Sequence, residues 1–187
     1  MKRTWIGVTL VAASLAAGCG DGRAIFNVDI YSFVKGSVND SVLYAAPPGN
    51  YTVGNPPVKI NLVPGLGSSG IDTVKLTGSA EFRNVSGGPA TLRFQVYMAK
   101  DSAGTYVAGR DSMFAPPLQA TNLSGTNTSP APINIPNLSP TGNALFTNDQ
   151  IWIRFVVTAT NGTLTVAQGR AVLTALSIRL VVQDKLF

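Results

Sequence analysis

"IWIRFVVTATNGTLTVAQGR", residues Ile151 to Arg170, carries two independent signs of β-structure. Apolar residues recur at every second position, at Ile151, Ile153, Phe155, Val157 and Ala159. Such alternation marks a strand with one buried face. Asn161-Gly162 at the centre is the pair favoured in a two-residue type I′ turn, where both residues need positive φ. Folding the stretch about that turn pairs Val157 with Val166 and Ala159 with Leu164. Both pairs fall on the face already marked as apolar, so the expectation is a β-hairpin.

The same period appears in "VKLTGSAEFR" and "TLRFQVYMAK". Val74, Leu76, Ala80 and Phe82 share one face of the first. Leu92, Phe94, Val96 and Met98 share one face of the second, with Arg93, Gln95, Tyr97 and Ala99 on the other. The intervening "NVSGGPA" is turn-rich, and a fold about Gly87 sets Phe82 against Leu92 and Glu81 against Arg93. The last strand, "AVLTALSIRLVVQ", puts Val172, Leu176, Ile178, Leu180 and Val182 on one face. Earlier strands are expected at Ala24–Val34 and Val58–Val63. Pro47-Pro48 and Pro56-Pro57 bracket a loop or an edge strand. Between Pro116 and Gly142 four prolines follow Pro117 and exclude a central strand. That segment reads as a long loop at 116–142, in which Ile133, Ile135 and Leu138 are able to dock as a short edge strand.

Seven to nine short strands separated by turns predict an all-β fold. The expected architecture is an antiparallel β-sandwich, immunoglobulin- or fibronectin-like, forming a single domain over residues 24–187. A membrane β-barrel is disfavoured. Stepping back by twos from Phe187 gives Lys185, Gln183, Val181 and Arg179, not the apolar series a lipid-facing strand needs. The composition agrees with a β-domain: charged residues make up only 12% of the chain, and Glu81 is its single glutamate. The formal net charge of +5 comes from scattered Lys and Arg without a basic run, so no nucleic-acid partner is expected.

The amino terminus differs in kind. Lys2 and Arg3 precede an uncharged stretch from Thr4 to Ala17. As a helix it would span roughly 21 Å, short of the ~30 Å hydrocarbon core of a bilayer. A basic start, a short apolar run and small residues form the secretory signal pattern. Leu15-Ala16-Ala17-Gly18-Cys19 then resembles the lipobox of bacterial lipoproteins, departing from it at Ala16, where a branched aliphatic residue is usual. The resemblance implies cleavage after residue 18 and lipidation of Cys19, with 19–23 as a tether. It also implies a bacterial envelope location. Asp directly after the cysteine favours inner-membrane retention in enteric-type bacteria; Gly20 stands there, which points to the outer membrane.

Cys19 is the only cysteine and the chain has no histidine. Neither a disulfide nor a Cys–His or Ser–His–Asp site can be built. Histidine- and thiolate-based metal sites are excluded in the same way, and neither a metal nor a cofactor is expected. Gly65–Gly70 lacks the Lys-Ser/Thr ending of a phosphate loop. The remaining candidates for contact are aromatic residues on outward faces: Trp152, Tyr31, Phe33 and Tyr97. The expected function is therefore a non-catalytic binding or structural module, held at a membrane through Cys19, with a protein or glycan partner in the envelope. Its alternatives are a carrier of an apolar ligand between the sheets and, third, an enzyme.

Overall fold

The computed structural model describes residues 22–36, 39–62, 70–85, 89–107, 113–114, 118–123, 126–138 and 140–184. The signal segment, Cys19, Gly87, Phe187 and most of Gly65–Gly70 lie outside the described residues. In chain order the strands are β1 (Gly22–Asp29), β2 (Ser41–Ala46), β3 (Gly49–Gly54), β4 (Val58–Asn61), β5 (Gly70–Asn84), β6 (Ala90–Ala99), β7 (Met113–Phe114), β8 (Leu118–Leu123), β9 (Asn127–Ile135), β10 (Gln150–Asn161) and β11 (Ala167–Asp184). Two short helices join them, α1 (Tyr31–Val34) and α2 (Pro140–Leu145), with a 3-10 turn at Ala103–Tyr106.

The fold is an antiparallel β-sandwich. One sheet runs β1-β11-β5-β9, with β2 also on β11; the other runs β3-β10-β6-β7, with β4 on β10 and β8 on β6. Short strands lie end to end against one long partner. β1 and β2 share an edge of β11, β3 and β4 an edge of β10, and β7 and β8 an edge of β6. Each sheet is thus four lanes wide.

The connectivity is not immunoglobulin-like. Successive lanes alternate between the sheets, with one in-sheet step from β6 to β7 and β8. This order is that of a double-sheet jelly roll. It overturns both expected hairpins. β10 pairs with β3, β4 and β6, while β11 pairs with β1, β2 and β5, so the chain crosses between sheets at Asn161–Val166. Leu164 is 94% exposed at that crossing rather than paired with Ala159. β5 and β6 likewise face each other from different sheets. Glu81 therefore meets Arg83, two residues along its own strand, and not Arg93.

The inward faces follow the alternation. Val74, Leu76, Ala80 and Phe82 are buried from one sheet; Leu92, Phe94, Val96, Met98, Ile151, Ile153 and Phe155 are buried from the other. The Phe94 and Phe155 rings stack with centroids 5.9 Å apart. One residue departs: Val172 is only partly buried, and Ala171 and Leu173 point inward in its place. A bulge between Leu173 and Ala175 inserts one residue and reverses the parity before Leu176. Gly78 sits opposite that bulge, where a β-carbon would collide with the Ala175 carbonyl.

Other boundaries also shift. Gly22 and Arg23, expected in the tether, already pair with Asp184 and Gln183. The expected strand over Ala24–Val34 ends at Asp29 and is followed by α1. The expected loop at 116–142 contains β8, the nine-residue β9 and the start of α2. Ile133 and Ile135 are buried on this edge strand, and Leu138, buried just beyond its end, donates its N–H to the Val74 carbonyl at 2.9 Å. At the corner from β2 to β3, after Pro47-Pro48, Gly49 has φ +100°, a conformation that favours glycine. No helix among the described residues is long and apolar enough to cross a membrane.

Candidate functional site

An open groove of about 680 Å³ lies beside β2. Leu43, Tyr44 and Ala45 form one wall, Tyr51 of β3 stands opposite, and Arg83 and Arg170 close one side. A second groove of about 330 Å³ continues along the same strand past Leu43 to Ser41 and Asn55. Both lie where the edge of one sheet stacks on the edge of the other.

The register explains how the lining comes together. Leu43 pairs with Arg170 and Arg170 pairs with Arg83, giving one row across β2, β11 and β5. This row is on the outer face: Leu43 is 65% exposed, and Val85 beside it 64%. Two cations directly opposite in a ladder repel. Arg83 is relieved by Glu81, with Nη2 donating to Oε2 at 2.9 Å and Nε at 3.2 Å. Arg170 is exposed and has no hydrogen bond or ion pair with any described side chain.

The groove floor is closely packed. Tyr44 packs against Gly169 with its hydroxyl donating to Asn84 Oδ1 at 3.3 Å. Any side chain at residue 169 would run into the Tyr44 ring and the Arg83 carbonyl. Burial pushes the Tyr44 phenol up to about 12. It is thus a neutral donor at ordinary pH.

The aromatic residues expected to form a contact patch fall in two places. Trp152 and Tyr97 are half-buried on the outer face of the β10 sheet, opposite Ala99 and Arg154 respectively. Arg154 is held there too, its guanidinium 4.0 Å from the Tyr106 ring centre and its Nε donating to the Asn55 carbonyl. Tyr31 and Phe33 sit on α1, Tyr31 packed against the core and Phe33 55% exposed. The four do not make one surface. The groove residues are not legible in the sequence because their adjacency depends on which lanes neighbour β11. The run "SVLYAA" at Ser41–Ala46, between Asn-Asp and Pro-Pro, is the local signal for β2.

Bulky side chains fill the space between the sheets, with Phe82, Phe94, Phe146 and Phe155 fully buried there. Among the described residues no three Asp, Glu, Cys or His side chains converge.

No family model matches this chain, and no curated protein matches it. Solved structures do. A chain of the infectious bursal disease virus Gx strain is 14% identical, with a TM-score of 0.45 over 95% of this chain and 37% of its own. The VP2 subviral particle of infectious bursal disease virus is 11% identical, with a TM-score of 0.40 over 98% of this chain and 42% of that one. PirA is 13% identical, with a TM-score of 0.35 over 79% of this chain and 98% of its own. This chain spans less than half the length of those viral chains.

Proposed function

We propose that this protein is a lipid-anchored binding module of the bacterial envelope, without catalytic activity. Cys19 carries the lipid, and the jelly roll presents the groove at its membrane-distal end. The supporting observation is the course of the first lane. β1 begins at Gly22, three residues beyond Cys19, and its Arg23 pairs with Gln183 at one end of β11. The groove lies at the other end of the same strand, at Gly169 and Arg170. Thirteen residues of strand at ~3.3 Å each separate the two by about 43 Å. Three residues of tether reach at most about 10 Å, so the sandwich stays close to its anchor.

Each buried CH₂ of an acyl chain contributes about 0.8 kcal/mol, and stable anchoring takes two signals or more, which a multiply acylated cysteine supplies. Fractionation of cells tests the reading. The native protein is expected in the membrane fraction, released by detergent and not by salt. Cys19→Ala is expected to leave that fraction. A Cys19→Ala chain still held in the membrane would overturn the anchor.

A further inference from the structure

The two ends of the β11 sheet are treated differently. In an antiparallel ladder, opposite residues alternate between pairs that exchange both backbone bonds and pairs whose N–H and C=O point away. Leu173 N–H donates to the Asp40 carbonyl at 2.8 Å, immediately before β2 and in its register. Val42, Tyr44 and Ala46 therefore face β11, and Ser41, Leu43 and Ala45 face the free edge. Two contacts agree. Gln168, opposite Ala45, turns its carbonyl to Val85 N–H on the β5 side. Asn55 Nδ2 donates to the Ser41 carbonyl from outside the sheet at 2.6 Å.

At the opposite edge the same reasoning applies to β9. Val85 facing β11 sets Asn84, Phe82 and Ala80 toward β9, where they pair with Asn127, Ser129 and Ala131. Thr128, Pro130 and Pro132 then face outward. Both prolines lack the donor at the position where it would be open to pairing, the usual way of blunting an edge. Among the described residues β2 carries no proline at an outward position, and only its Ser41 carbonyl is capped, by Asn55. Its outward backbone groups at Leu43 and Ala45 line the groove, beside an exposed leucine and Arg170, which has no partner among the described side chains.

We infer that β2 is a docking edge: an extended, acidic polypeptide segment of another protein adds to it as a further strand. Backbone bonds to Leu43 and Ala45 give the pairing, and Arg170 reads a carboxylate on the outward face. A second copy of this chain fits poorly as the occupant. A two-fold edge contact would put Arg83 and Arg170 of both copies on one continuous face. The inference rests on the binding-module reading and is independent of the anchor.

The test uses the full-length chain in detergent and two labelled probes, Thr-Val-Thr-Val-Glu-Val-Thr-Val-Thr and its counterpart with Lys for Glu. Fluorescence anisotropy gives affinity, and ¹⁵N amide shifts give the site. The Glu peptide is expected to bind and to shift the Leu43 and Ala45 amides, with the Lys peptide about tenfold weaker. Ala45→Pro removes an outward donor without touching the ladder to β11, and is expected to weaken the Glu peptide about tenfold. Arg170→Gln, at an exposed side chain, is expected to abolish the preference for Glu while leaving the fold intact. Absence of Glu-peptide binding, equal binding of the two peptides, full binding by folded Ala45→Pro, or self-association through β2 in sedimentation would each overturn the inference. Cys19→Ala is expected to bind the peptide normally, which separates this result from any failure of the anchor.

Discussion

The Asn161 side-chain amide donates to the Ala46 carbonyl at 3.0 Å, joining the end of β10 to the end of β2 across 115 positions. The same amide donates to the Thr165 carbonyl at 2.8 Å, and Oδ1 accepts from the Thr163 backbone N–H and hydroxyl, each at 2.9 Å. One buried side chain thus organises the crossing between sheets and ties it to the neighbouring lane.

Asn161→Ala is expected to destabilise the protein by about 2–4 kcal/mol, because it leaves several polar groups without partners. Gly162→Ala is expected to be neutral or slightly stabilising. Gly162 is not among the glycines with positive φ, and a β-carbon there meets nothing within 4 Å. A type I′ hairpin would give the reverse cost at Gly162. Chemical denaturation of the two variants decides between the arrangements.

Gly78→Ala is expected to cost about 1–3 kcal/mol, since the added methyl meets the Ala175 carbonyl rather than a movable side chain. A substitution at the neighbouring position on the outer face, Thr77→Ala, serves as the baseline. Its loss is limited to the hydroxyl contact between Thr77 and Ser177 at 2.9 Å. Thermal melts of the two variants provide the comparison.

Tyr44 gives an alkaline signature. Its phenol is pushed up to about 12 by burial, from the ordinary value of 10.0. The folded state thus holds a proton that the unfolded chain releases first. This contribution is fully present below pH 10, declines as pH rises above it and is gone above about pH 12. The stability difference between wild type and Tyr44→Phe is expected to shrink over that window. The variant also loses the hydrogen bond to Asn84, worth about 1 kcal/mol at neutral pH. Denaturation at a series of pH values reads both effects.

The free edge predicts an exchange pattern within β2. Amides of Val42 and Tyr44, which face β11, are expected to be protected from hydrogen exchange. Those of Leu43 and Ala45 are expected to exchange rapidly. Residue-resolved exchange by NMR checks it, and uniform protection along β2 would contradict the assigned ladder.

Alternation in sequence decided which faces are buried, because a strand's side chains must take opposite sides whatever its neighbours are. Phe82, Phe94 and Phe155 all lie inside for that reason. Pairing was not legible. β10 and β11 carry aligned apolar faces whether they adjoin in one sheet or oppose each other across the core. The local turn signal at Asn161-Gly162 favours the first. The second prevails because the Asn161 side chain has distant partners. Val172 departs from the expected face because nothing local announces the bulge at Leu173–Ala175. Trp152 and Tyr97 lie on an outer face, as alternation requires, but the stacking of Tyr106 on the neighbouring Arg154 depends on β6 and β10 adjoining, which no local pattern announces. The groove needed three lanes from separate parts of the sequence, so neither Leu43 nor Arg170 stood out alone.

The envelope location proposed for this protein turns on the acylation of Cys19. The direct test is the intact mass of the protein extracted from native membranes. The predicted result is a mature chain starting at Cys19 and carrying the added mass of acyl chains on that residue. An unacylated chain, or one starting at another residue, would contradict it.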